Sequence, residues 1–184
     1  FHSNLNFLTI GIYRPQKGID LLLKAITIFN RKYPNNKAVF RIVGGGELKS
    51  LITSFVVDNK NIVDAGYVKY EEITQVYSQS DIYLLSSREE PFGLVLIEAW
   101  ASGIPVLATK TEGPRDMLEE GENGWFINQI TPEGIEAGIE RQYLSWQKNN
   151  SHLLQFEESC RETGKMFSID ITSRKMYETF FNSS

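Results

Sequence analysis

The feature that most constrains the fold is an alternation of two periodicities. Short runs rich in β-branched and aromatic residues lie at Phe7–Ile12, Val39–Val43, Ile62–Val63, Asp81–Leu85, Pro105–Thr109 and Gly124–Ile127, separated by longer amphipathic stretches. A strand followed by such a stretch, in place of a tight turn, reads as a βαβ unit that feeds a parallel sheet with helices on its faces. Ile19–Arg31 carries Leu22, Leu23, Ile26 and Phe29 at helical spacing and is stopped by Pro34, Asn35 and Asn36. Glu47–Val57 and Tyr70–Ser80 are the next helices, Gly113 and Pro114 open a helical turn, and from Thr131 onward only helical patterns remain, with a break near Gly164. Within the fourth run, Ile82 to Leu85 is continuously apolar, as expected of a strand buried on both faces. The pattern predicts a doubly wound, Rossmann-like α/β fold with a parallel sheet of about six strands, flanking helices and a helical C-terminal segment. No repeat, low-complexity tract or internal linker interrupts it, so one domain is expected over 1–184.

Composition removes several function classes. A chain of 184 residues, 41% apolar and 23% charged, should bury roughly 70% of its unfolded surface without a disulfide or a metal. Cys160 is the sole cysteine and His2 and His152 the only histidines, so neither a disulfide framework nor a Cys/His zinc site can be built. Cys160 reads as a half-buried structural thiol, and a lone thiol fits a reducing compartment, so a cytoplasmic location is expected. A net charge of −4 supplies no broad cationic face for nucleic acid or an anionic membrane. No apolar stretch approaches the roughly 18 residues that span a bilayer, and no signal peptide is seen. The first residue is Phe1, which is expected of an excised domain.

Ligands of open α/β sheets bind at the carboxyl edge of the strands. The loop Ser86–Phe92 follows the fourth strand and places Glu90 at that edge. If a helix begins near Gly93, Glu98 lies in its second turn, about 7 to 8 Å further along the axis. Its neighbours from Gly93 to Ala101 are largely apolar, and an ionised carboxylate in such a helix is costly unless it is partnered. Between the two acids lie the unpaired N–H groups of a helix start, which attract anions. A molecule with hydroxyls at both ends and phosphate in the middle, such as a nucleotide sugar, matches this layout. A plainer reading stands beside it, since acids complement any helix start and Glu89 and Glu90 can be solvated loop charges.

The loop Gly11–Gly18 brings two cations to the same edge. Arg14 is suited to clamp a phosphate bidentately and Lys17 to act as a mobile point charge, although both also read as solvated loop charges. Gly44-Gly45-Gly46 lacks dinucleotide-binding spacing and reads instead as a tight turn that lets a ligand base approach the backbone. Gly66-Tyr67-Val68 offers backbone groups to the same base, with Tyr67 expected to be a packing aromatic.

Ser86 to Thr109 contains Glu90 and Glu98 separated by seven residues, then Ala101-Ser102-Gly103-Ile104-Pro105-Val106. Together with Gly113-Pro114-Arg115-Asp116, Gly121-Glu122-Asn123-Gly124-Trp125-Phe126 and Lys17-Gly18, this block resembles the nucleotide-sugar-binding half of the group 1 (family 4) retaining glycosyltransferases of GT-B architecture. A closing helix that Phe167-Ser168 leads into, running past Tyr177, extends the resemblance to nearly the whole chain. The resemblance implies a hexosyltransferase in which catalytic Glu90 contacts donor-sugar hydroxyls and Glu98 the ribose. It also implies that the amides of Phe92, Gly93 and Leu94 face sugar and phosphate, and that Lys17 binds the diphosphate. Ile12 stands where the family often has arginine, which leaves Arg14 as the substitute cation. No cofactor beyond the nucleotide-diphosphate sugar is implied, and without an Asp-x-Asp pair metal dependence is not expected.

The implied partners are the nucleotide sugar and an N-terminal acceptor-binding domain of the same enzyme, through which alone any peripheral membrane contact would run. Nucleic acid is not among them. Alone, the chain is expected to turn over little, because water exclusion and acceptor placement need the other wall of the cleft. A sugar-nucleotide epimerase-like enzyme and a non-catalytic nucleotide-binding domain are the alternatives. Product analysis without acceptor distinguishes the first, and the intact set of Glu90, Glu98 and Lys17 argues against the second.

Overall fold

A computed structural model of the chain describes residues 3–167. Six strands, β1 (Leu5–Ile12), β2 (Ala38–Gly45), β3 (Ile62–Gly66), β4 (Ile82–Leu85), β5 (Val106–Thr109) and β6 (Gly124–Ile127), form one sheet in the order β3-β2-β1-β4-β5-β6. Every pairing is parallel. Winding runs outward in one direction from β1 to β3 and in the other from β4 to β6, so the chain reverses its order between β1 and β4. That is the switch point at which the loops leaving two adjacent strands diverge and open a crevice.

Among the described residues, seven α-helices cover the two faces: α1 (Ile19–Lys32), α2 (Lys49–Asp58), α3 (Ile73–Ser78), α4 (Leu94–Ala101), α5 (Glu112–Met117), α6 (Pro132–Lys148) and α7 (Glu157–Met166). The strands feed two cores by simple alternation. Phe7, Ile82, Leu84 and Leu107 point into a core shared with α1 and α6, and Leu8, Tyr83, Leu85, Val106 and Ala108 into one shared with α3, α4 and α7. Each fully buried side chain of this size contributes about 1.5 to 3 kcal/mol relative to exposure. Trp100, fully buried in the second core, also satisfies its indole N–H on the Asn123 carbonyl at 2.8 Å.

Several boundaries differ from the sequence reading. Tyr70–Ser80 divides into a 3-10 turn, Tyr70–Glu72, and α3. Gly164 does not break a helix: it lies inside α7, where a Cβ would come 2.5 Å from the Ala101 nitrogen, so its missing side chain lets α7 settle on α4. The interruption comes earlier, at Asn149, before the 3-10 turn His152–Phe156. Cys160 is fully buried, not half-buried, and burial pushes its thiol up to about 12. The closing helix expected beyond Phe167 lies outside the described residues. Among the described residues, no helix is long and apolar enough to cross a membrane.

Candidate functional site

At the switch point the loop leaving β1 meets the loop leaving β4. The β1 loop turns through a 3-10 turn, Pro15–Lys17, and closes on Gly18, whose φ is +63°. Glycine is needed here for space as well as conformation, since a Cβ would lie 1.9 Å from the Ser86 carbonyl oxygen. This close approach brings Lys17 Nζ to 2.6 Å from Glu90 Oε2. Glu90 is 8% exposed, and its other carboxylate oxygen accepts the Gly93 amide at 3.1 Å. The Glu90 carbonyl accepts the Gly113 amide at 2.7 Å, which ties this loop to α5. Lys17 and Glu90 are thus in direct contact, each fixing the other before any ligand arrives.

Gly93 has φ +82° and opens α4, which has no side-chain cap. An uncapped start leaves amides directed outward with the positive end of the helix dipole behind them. The expectation that the Gly93 amide faces a ligand needs correcting, because it is already spent on Glu90. Leu94 is exposed at the head of α4, and Phe92 is exposed beside it.

Glu98 also differs from expectation. It is exposed, because α4 turns Leu96, Ala99 and Trp100 inward and leaves Leu94, Glu98 and Ala101 on its outer stripe. The feared cost of burying a carboxylate among apolar neighbours does not arise. One of its oxygens, Oε2, accepts the hydroxyl of Tyr77 on α3 at 2.9 Å. Tyr77 is 2% exposed, and burial, with Tyr83 and then Glu98 adding to it, drives its phenol far above the usual range. It is therefore a permanent donor. Sequence reasoning missed this residue, since no local spacing links positions 77 and 98.

Arg14 is exposed at the rim and makes no ion pair among the described residues, so the structure does not join it to Lys17 and Glu90. Ile12, where a cation is otherwise expected, is 53% exposed at the end of β1. The glycine triplet does a different job from the one expected of it. Gly44 and Gly45 continue β2 beside Gly11 and Ile12. A Cβ on Gly44 would lie 1.9 Å from the Gly11 oxygen, and one on Gly46 would lie 2.9 Å from the Tyr13 backbone. Gly44 and Gly46 therefore serve chain packing, while Gly45 and Gly11 face open space. Tyr67 is not a packing aromatic, being 84% exposed just past β3.

A second missed residue is Arg88. Its guanidinium forks the Asp20 carboxylate with two bonds of 2.7 Å, and Nη1 also donates to the Pro15 carbonyl at 2.6 Å. Hydrogen bonding to Arg88 is the largest of the effects that hold Asp20 below the usual carboxylate range. Chemically, the edge combines a cation, a buried carboxylate, an uncapped helix start and an exposed carboxylate with one oxygen anchored.

The sequence matches the family of group 1 glycosyl transferases over residues 2–161. It is 29% identical over 182 residues to an uncharacterized glycosyltransferase of Methanocaldococcus jannaschii, covering 96% of this chain and 49% of that protein. It is 31% identical over 142 residues to the GtfA subunit of the UDP-N-acetylglucosamine–peptide N-acetylglucosaminyltransferase of Streptococcus pneumoniae, covering 76% of this chain and 27% of that protein. The fold superposes on the crystal structure of the pneumococcal O-GlcNAc transferase GtfA in complex with UDP and GlcNAc, with a TM-score of 0.79 and 25% identity over 95% of this chain and 35% of that one. The chain thus spans about half or less of the length of these relatives.

Proposed function

Because the chain belongs to the group 1 glycosyl transferases, we propose that it is the domain that binds a nucleotide-diphosphate sugar for retaining transfer of a hexosyl group to an acceptor hydroxyl. The observation that carries this reading is Lys17 Nζ held 2.6 Å from Glu90 Oε2 beside the uncapped start of α4. A diphosphate entering there meets Lys17 and the outward amides of α4. Arg14, free at the rim, adds a second cation. Glu90, anchored through the Gly93 amide, accepts hydroxyls of the donor sugar. Glu98, with Oε2 on Tyr77, keeps Oε1 for the ribose.

In transfer, the bond from the anomeric carbon to the diphosphate oxygen breaks and a bond from the acceptor oxygen forms on the same face. The acceptor proton passes to the departing phosphate. Lys17 and the helix-start amides stabilise the charge that develops on that leaving group, so no covalent nucleophile is required. Uridine is the base to test first, since the pneumococcal transferase of similar fold binds UDP. The reading assigns the acceptor wall to a second domain of the same enzyme, in a GT-B arrangement, in keeping with the partial coverage of the relatives.

The test is calorimetry on the full-length enzyme, comparing UDP with uridine for wild type and Lys17→Ala, after a thermal-shift panel of UDP-, GDP- and ADP-sugars has ranked the bases. Loss of a charge-assisted bond to phosphate should weaken the diphosphate by about 1.5 to 3 kcal/mol and leave the nucleoside unchanged. Equal losses for both ligands would overturn the assignment.

A further inference from the structure

We propose that Arg88 is a positioning residue that locks the phosphate loop of Lys17 to the sugar loop of Glu90 and so sets the separation of the two groups that act on the donor. The inference rests on the reading of Lys17 and Glu90 given above. These groups sit on different loops, and nothing in the strand ladder holds their side chains in register. The β1 and β4 pairing ends with Phe7 against Ile82 and Leu8 against Tyr83, well before either loop begins.

Besides the Lys17–Glu90 contact itself, what joins the loops is a set of hydrogen bonds centred on Arg88. Its guanidinium takes Asp20 at 2.7 and 2.7 Å and the Pro15 carbonyl at 2.6 Å, and its backbone N–H donates to the Gln16 carbonyl at 2.8 Å. Ser86 Oγ donates to the Lys17 carbonyl at 3.0 Å alongside. Asp20 is not a loop residue. It stands in the first turn of α1, whose Ile19, Leu22 and Leu23 are buried in the core, so Arg88 ties the β4 loop to a rigid element. The carbonyls it captures directly precede Lys17 in the chain.

The same geometry removes the competing role for Arg88 as a phosphate ligand. Its fork is occupied by a carboxylate of matching planar geometry, and its charge is compensated there. The side chains of the pair are 37% and 26% exposed, so the pair itself contributes little to stability. Its leverage is geometric: a misplacement of about 1 Å at a reacting centre costs on the order of a hundredfold in rate.

The experiment compares Arg88→Met, Arg88→Lys and Asp20→Asn in the full-length enzyme. The probes are the nucleoside diphosphate that most stabilises wild type among UDP, GDP and ADP, its nucleoside, and the corresponding sugar donor. Arg88→Met should lower kcat for transfer by about tenfold to a hundredfold and weaken the diphosphate several-fold, with nucleoside affinity and thermal midpoint nearly unchanged. Arg88→Lys should recover only part of kcat, because a point charge cannot fork Asp20. Asp20→Asn should show the same split, and the double variant should be no worse than Arg88→Met alone. Wild-type kcat and diphosphate affinity in Arg88→Met would overturn the proposal. So would a fall in thermal midpoint shared by all the variants with an unaltered ratio of diphosphate to nucleoside affinity. Lys17→Ala is the control: if it spares the diphosphate, the reading of the site fails, whereas if it weakens the diphosphate and Arg88→Met does not, only the latch fails.

Discussion

Tyr77→Phe removes one buried oxygen and keeps the ring that packs in the second core. The lost contact is the bond of 2.9 Å to Glu98 Oε2, with the Val95 carbonyl a marginal second partner at 3.5 Å. Glu98 is exposed, so water replaces the lost donor and no charge is stranded. The stability cost should fall at the low end of the range for a hydrogen bond, about 0.5 to 1 kcal/mol. On the proposed ribose contact of Glu98, binding should be affected through orientation: without its anchor the carboxylate samples other rotamers, and ordering it again on the ligand would cost about 1 kcal/mol, or about fivefold in affinity. Because its hydroxyl stays protonated through the whole working pH range, the effect should not vary with pH. The assay is nucleoside-diphosphate calorimetry on the full-length enzyme across a cycle of Tyr77→Phe and Glu98→Ala, since glutamine would still accept the Tyr77 hydroxyl. If Tyr77 acts through Glu98, its loss should nearly vanish in the Glu98→Ala background. An undiminished fivefold loss there would refute the argument and place Tyr77's effect elsewhere.

Gly164→Ala should cost about 1 to 3 kcal/mol, since the new methyl meets Ala101 and Trp100 backbone that cannot rotate away; a thermal melt with an unchanged midpoint would show that α7 and α4 separate freely. Glu136→Gln should raise the thermal midpoint at neutral pH. Glu136 is 7% exposed on α6, faces Lys32 at 3.7 Å and Glu140, and its Oε1 has no hydrogen-bond partner among the described residues. Burial lifts its carboxyl above the ordinary range, Lys32 opposes this and Glu140 adds to it. The folded state therefore holds this proton more tightly than the unfolded chain, so the contribution to stability is full below the ordinary value and is lost as pH rises through the lifted one. Melts across that window should be flatter for Glu136→Gln, and parallel curves would contradict the assignment.

All six strands were legible because continuous apolar runs have few other uses, but their order was not. Order depends on which face each crossover covers, and that is decided by helices packing on helices, α1 on α6 and α4 on α7. The two glycine errors share a cause. Local propensity reads Gly44 as part of a tight turn and Gly164 as a break, yet each sits inside a regular element, and another backbone passes within reach of where its side chain would be. Glu98 was misjudged by averaging. The mean apolarity of Gly93–Ala101 suggested a wholly buried helix, whereas phase alone, with Leu96, Ala99 and Trp100 at i, i+3 and i+4, would have turned Glu98 outward.

Contacts across long sequence separations, Lys17 with Glu90, Tyr77 with Glu98 and Arg88 with Asp20, had no local signal at all. They exist because the sheet reverses its winding between β1 and β4 and delivers the loops of both strands to one edge. Local rules fail together at that edge. Ile12 at the end of β1, Tyr67 and Phe92 in loops and Leu94 at the head of α4 expose large apolar surface, where fold stability alone favours polar residues. A folded domain tolerates such conflicts where another requirement outweighs local consistency. Among the described residues Lys17 with Glu90 and Arg88 with Asp20 span the switch point at that edge, and a ligand with an aromatic base, charged phosphates and a sugar would need charged and apolar surface at once.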